Sequence, residues 1–163
     1  MEVTNLSYVP EPRPRIDAHT RWLLDLEEPR DPRTVKIHWL FNQREFARIR
    51  QGFLPCVMEE KWFICFRRCR LYLARSWTAK TRYVLEFVPR SPRPGMVVAS
   101  RLLVAQDPER WDPLSDDQAC EECAMVLEGY VLGRPLEWSG SSGMDPLRAW
   151  SLMGAVMTRP VPG

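Results

Sequence analysis

Apolar and polar residues change their spacing several times along this chain, and each change marks an element. Val35-Lys36-Ile37-His38-Trp39-Leu40 alternates and predicts a strand. Phe41-Asn42-Gln43-Arg44-Glu45-Phe46 follows. Asn42 can cap a helix, and Glu45, three places on, can reach back to close a capping box. Phe41 and Phe46 stand at the flanking staple positions. The helix is expected to span Asn42–Gln51, with Phe46 and Ile49 inward and Gly52 as a left-handed stop.

Three strand signals follow in Lys61–Phe66, Arg70–Trp77 and Thr81–Val88, all rich in aromatic and β-branched residues. Their links, Arg67-Arg68-Cys69 and Thr78-Ala79-Lys80, are short enough to require antiparallel hairpins. Met96–Val104 reads as a further strand after the Pro-rich loop Pro89–Gly95. Period two puts Leu71, Leu73, Arg75 and Trp77 on one face, and Tyr72, Ala74 and Ser76 on the other. It likewise sets Tyr83, Leu85 and Phe87 against Val84, Glu86 and Val88.

Ser115-x-x-Gln118 is a second capping box, with Asp116 and Asp117 placed well for the positive end of a helix. Ala119, Cys123, Val126, Leu127, Tyr130 and Val131 then share one helical face, so a helix Ser115–Leu132 is expected, ended by Gly133 and Pro135. The predicted fold class is therefore α+β: an antiparallel sheet of four to five strands packed by two main helices. Residues 1–36 read as an extended Pro-rich N-terminal arm, with a short helical turn expected around Asp17–Leu26. Residues 37–136 form the domain. Residues 137–163 read as a linker, Ser139–Gly143, and a short helix within Asp145–Met157.

The 163 residues suit one domain, and 45% apolar content excludes a disordered chain. No apolar run approaches the ~20 residues needed to span a bilayer, and no basic-then-apolar leader opens the chain. A cytoplasmic protein with no membrane partner is the expectation. Net charge is only +2, but residues 1–103 carry 19 Lys+Arg against 11 Asp+Glu, while residues 104–163 carry 4 against 10. The two halves either neutralise each other within the fold or form a dipolar surface that orients an anionic partner. Five cysteines cannot make a complete disulfide framework and read as reduced thiols. Cys120-x-x-Cys123 and Cys65-x3-Cys69 offer four thiolates, yet neither pair has the turn geometry of a zinc knuckle, so no metal is expected. With His19 and His38 the only histidines, and no P-loop, GxGxxG or HExxH, no cofactor is implied either.

The most distinctive stretch is Met58-Glu59-Glu60-Lys61-Trp62-Phe63-Ile64, followed by Leu71-Tyr72-Leu73 and Arg75-Ser76-Trp77-Thr78. It resembles a largely uncharacterised bacterial domain family with the pattern Met-acid-acid-Lys-Trp-Phe, a gap, then Leu-Tyr-x-x-Arg-Ser-Trp-Thr-Gly. Gln51-Gly52-Phe53 and the Leu127–Arg134 segment also fit its habit, so the resemblance covers roughly Leu40–Arg134. It implies an α+β domain. Related domains occur alone or attached to ADP-ribose-processing domains. The chain departs from the pattern where Ala79 replaces the glycine after Thr78, and where Lys80-Thr81-Arg82 replaces aromatic-rich residues.

Glu59, Glu60, Lys61, Arg75, Ser76, Trp77 and Thr78 are the candidate ligand-binding residues, since they fall near strand ends of adjacent hairpins. A carboxylate can hold ribose hydroxyls, Arg75 a phosphate, and Trp77 a base by stacking. The leading expectation is a non-enzymatic bacterial binding or accessory module for a partner protein or a nucleotide or ADP-ribose-like ligand. The alternative is an enzyme acting on ADP-ribose or a nucleotide with Glu60 as general base. Against both stands the plainer reading that Arg75 pairs with Glu59, Glu60 or Glu86 while Trp62 and Trp77 fill the core. A third class, nucleic-acid binding through Arg67, Arg68 and Arg70, lacks the strong basic excess such modules carry.

Overall fold

The computed structural model describes residues 26–57, 59–89, 93–134 and 151–154. Its elements are β1 (Arg33–Asn42), α1 (Gln43–Gln51), β2 (Trp62–Arg67), β3 (Arg70–Arg75), β4 (Thr81–Phe87), β5 (Met96–Val104) and α2 (Asp116–Val126). The five strands form one antiparallel sheet of order β1-β5-β4-β3-β2. The chain leaves β1 at one edge, and α1 carries it to the opposite edge, packing on β1, β5 and β2. A meander then returns through β2, β3 and β4 until β5 pairs with β1. The molecule is α+β, as the spacing of its apolar residues predicts.

Both helix starts are built as the sequence spells them. Asn42 Oδ1 accepts from Glu45 N at 2.8 Å, and Glu45 Oε1 accepts from Asn42 N at 2.8 Å. Ser115 and Gln118 make the same reciprocal pair. The staple residues Phe41 and Phe46 meet through a common partner: both pack on Phe87, with centroids 6.0 and 5.6 Å away. Beyond Val126 the helix widens into a π-helical turn, Leu127–Val131, in which Leu132 N donates to Leu127 O at 3.0 Å. The periodicity did not anticipate this change of pitch, because the buried face continues through it.

The helix-covered face of the sheet presents Trp62 and Ile64, Leu71 and Leu73, Tyr83, Leu85 and Phe87, and Leu102 and Val104. Ile49 from α1 and Ala119, Cys123 and Val126 from α2 close over them. The opposite face carries a smaller cluster of Phe63, Tyr72, Ala74, Val84 and Leu26. Glu86 also lies on that face, in register between Arg70 of β3 and Arg101 of β5, and it pairs with them at 2.6 and 2.7 Å. Glu27 and Glu28, just ahead of β1, fasten their segment to this side. Glu27 binds Lys80 and Arg110, and Glu28 binds Arg67, Arg70 and the Tyr72 hydroxyl. Two arginines of the basic Arg67–Arg70 turn are thus occupied by carboxylates.

Element bounds differ in places from the sequence reading. β1 begins at Arg33, so residues 33–36 belong to the sheet rather than the arm. β3 ends at Arg75 rather than Trp77. The cause is a tight turn in which Arg75 N donates to Lys80 O and Ala79 N to Arg75 O, so the chain has already reversed at Trp77. Trp77 is 60% exposed and takes no part in the core. The predicted helix at Asp17–Leu26, apart from Leu26, and the Ser139–Gly143 linker lie outside the described residues. Of the predicted C-terminal helix, only the helical residues 151–154 are described.

Ala79, standing where the resembling pattern has glycine, adopts φ 56°. A left-handed conformation strains any residue with a Cβ. Ala79→Gly is therefore expected to raise the free energy of urea unfolding by about 1 kcal/mol. An unchanged or lower unfolding midpoint would show that the turn stores no strain.

Candidate functional site

The register Trp62↔Arg75 joins the two motif segments side by side. Ser76 N donates to Lys61 O at 3.0 Å, which extends the junction past the strand ends. The side chains nevertheless diverge. Glu60, 8% exposed, turns its carboxylate to the amides of Cys56 and Val57, at 2.8 and 3.3 Å, and closes the turn before β2. Thr78 Oγ1 accepts from Lys80 N within the β3–β4 turn. Glu59 and Lys61 lie against Gly154, where an added Cβ would come within 2.1 Å of Glu59 O and 2.8 Å of Lys61 Cγ. Of the seven candidates, Arg75 lines a cleft.

That cleft has a volume of about 360 Å³ and opens at the end of the sheet where β2 and β4 begin and β3 ends. Trp62, Arg75, Arg82, Arg110, Trp111 and Glu122 form most of its wall. The indole of Trp62 is almost fully buried and stacks on Tyr83 at 6.2 Å. Tyr83 donates to Glu122 Oε2 at 2.6 Å, which ties β4 to α2 beneath the cleft. The guanidinium of Arg75 lies over the Trp62 ring, 5.0 Å from its centroid. That of Arg82 lies 5.0 Å from the Trp111 ring.

The three arginines are not equally committed. Arg82, 5% exposed, donates to Ala105 O at 2.5 Å and Asp112 O at 3.0 Å and so holds the loop after β5 in place. Arg110 is paired with Glu27 and Asp107. Arg75 makes no ion pair with any described residue, and its hydrogen bond is a long one, 3.3 Å to Ser151 O. Burial draws its pKa below the ordinary guanidinium value, against the opposing pull of Tyr130 and Glu122.

One wall was not legible in the sequence. Three side chains from different elements bind three consecutive carbonyls of the 151–154 turn. Arg75 holds that of Ser151, Trp62 Nε1 that of Leu152 at 2.7 Å, and the Tyr130 hydroxyl that of Met153 at 2.6 Å. Tyr130 also accepts from Lys61 N at 2.9 Å. The available signal is chemical: a buried indole N–H and a buried phenol each need a partner.

The thiols are free. Cys123 is fully buried in the core beside Val126, and Cys120 is half-buried. Burial, then Asp116 and Asp117, pushes the Cys120 thiol pKa up. Among the described residues no three His, Cys, Asp or Glu side chains gather at metal-ligating range. No described helix is long and apolar enough to cross a membrane. No family model, curated protein or solved structure matches this chain.

Burial raises the pKa of both the Cys123 thiol and the Tyr83 hydroxyl, and Glu122 adds to the rise at Tyr83. The folded chain therefore holds both protons more tightly than the unfolded chain. The stability they confer is complete below the ordinary thiol value of 9.0 and falls as pH climbs through it and then through the phenol value of 10.0. The free energy of urea unfolding, measured from neutral to strongly alkaline pH, is expected to fall with a limiting slope of about 1.4 kcal/mol per pH unit for each group. Tyr83→Phe and Cys123→Ala should each flatten that fall, and an equally steep profile in both variants would contradict the assignment.

Proposed function

We propose that the chain is a non-enzymatic binding module whose cleft takes an anion of the nucleotide or ADP-ribose class. The observation that carries this reading is Arg75: a guanidinium set on a buried indole, lining a 360 Å³ cleft, that makes no ion pair with any described residue. A partly desolvated guanidinium binds a phosphate by charge-assisted, bidentate hydrogen bonds. Trp111, half-buried on the same wall, offers ring surface for a base. The cleft lies within the size range of small-ligand sites. Free thiols at all five cysteines agree with a reducing, cytoplasmic setting.

Binding rather than turnover is favoured by where the acids stand. Glu60 spends its carboxylate on backbone amides, and Glu122 accepts from Tyr83, so neither has the posture of a base awaiting a substrate proton. Titration with ADP-ribose and with AMP should raise the melting temperature, with a stabilisation of about 2.7 kcal/mol at a hundred times Kd. Arg75→Gln should weaken binding at least tenfold while the unliganded variant melts close to wild type. Equal affinity in that variant, or no shift with either ligand, would overturn the reading. Consumption of ADP-ribose, followed by chromatography and lost in Glu60→Gln, would replace it with the enzymatic alternative.

A further inference from the structure

A second cleft lies at the opposite end of the same strands, where β2 and β4 finish and β5 begins. Its volume is about 610 Å³, larger than that of the first. Helix α1 lays Gln43, Phe46 and Arg50 along it at helical spacing, so all three share one face. Phe66 is the next-to-last residue of β2, and Phe87 the last of β4. The three phenylalanines form a continuous aromatic floor. Phe46 meets Phe66 edge-on at 5.5 Å and Phe87 at 5.6 Å, while Phe66 lies 5.8 Å from Phe87. Phe46 and Phe66 are only partly buried, so the floor is open to an occupant.

The rim differs from the floor in sign as well as polarity. Arg50 and Arg93 both line the cleft, and among the described residues no carboxylate does. Arg50 stands in the last turn of α1, with its guanidinium 5.9 Å from the Phe46 centroid. It is exposed and makes no ion pair with any described residue. The carboxylates nearest in sequence to Arg50 and to Arg93 are used elsewhere, Glu45 on Arg134 and Glu86 on Arg70 and Arg101. An aromatic floor beneath a cationic rim is complementary to a molecule with an apolar body and one anionic end. The geometry points to a binding site for a small amphipathic anion, an alkyl or aryl carboxylate, with its body on Phe46, Phe66 and Phe87 and its charge at Arg50.

This site shares no residue with the Arg75 cleft, so the two readings stand or fall separately. Decanoate titrated into the isotope-labelled chain should shift backbone amide signals of residues 43–50, 66–69, 87–88, 93 and 95–97 and leave those around residues 105–112 in place. Affinity should tighten roughly tenfold from octanoate to decanoate, as two buried methylenes require. Arg50→Glu, an exposed change that spares the floor, should weaken decanoate at least tenfold with no more than a small fall in melting temperature from the reversed charge at the helix end, and Arg75→Gln should leave decanoate affinity unchanged. Decanol binding as tightly as decanoate, full affinity in Arg50→Glu, or shifts spread over the whole molecule would each overturn the assignment.

Discussion

The indole of Trp62 is the point through which the strand-start end of the molecule is organised. It sits almost fully buried at the first residue of β2, opposite Arg75 in register. One ring face stacks on Tyr83, its N–H holds Leu152 O, and its π-cloud carries the Arg75 guanidinium. Tyr83 passes the connection on to Glu122 of α2. A single side chain thus joins β2, β3, β4, α2 and the 151–154 turn. No smaller residue could fill this role, because it needs both a large stacking surface and a donor at the ring edge. Losing the donor alone would leave a buried carbonyl unsatisfied, at a cost of ~1–3 kcal/mol.

Local chemistry was legible where the determinants lie within a few residues of each other. The two capping boxes, the staple residues around Asn42 and the inward face of α2 all follow from spacing, and the coordinates reproduce them. The alternation in β3 and β4 likewise sorts Leu71, Leu73 and Arg75 onto the helix-covered side with Tyr83, Leu85 and Phe87. Long-range partners were not legible. Period two directs Arg75 inward, but it cannot say that Glu86 on the other face is already held by two arginines, or that Glu60 turns back to its own loop. Trp77 was misplaced for a related reason. Alternation assumes the strand continues, and the left-handed Ala79 turn ends it two residues earlier.

Charge follows the same division between local and global. The sequence is basic in front and acidic behind, yet much of the compensation happens within the front. Glu27 and Glu28 neutralise Arg67, Arg70 and Lys80, and Glu86 neutralises Arg70 and Arg101. Across the halves, Arg33 meets Asp116 at 3.0 Å and Glu45 meets Arg134. Exposed pairs of this kind contribute ~0–1 kcal/mol each. Their larger effect is to remove cations from the set available to a ligand.

What remains after that subtraction is selective. Arg75 and Arg50 both lack an ion-pair partner among the described residues, and both rest on aromatic rings at the mouths of clefts. A guanidinium over a ring face gives up part of its hydration shell before any ligand arrives, and ring attraction holds its plane. An anion meeting it then displaces less water and freezes fewer side-chain rotamers than it would at a free surface arginine. The two clefts differ in what surrounds this shared device. Around Arg75 stand Asp112 and Glu122, the half-buried indole of Trp111 and further arginines, a setting for a ligand with several polar groups. Around Arg50 stand three phenylalanines, a setting for a ligand with one charge and an apolar body. The same physical element, placed at the two ends of one sheet, stands in two different chemical settings because the strands end in different company.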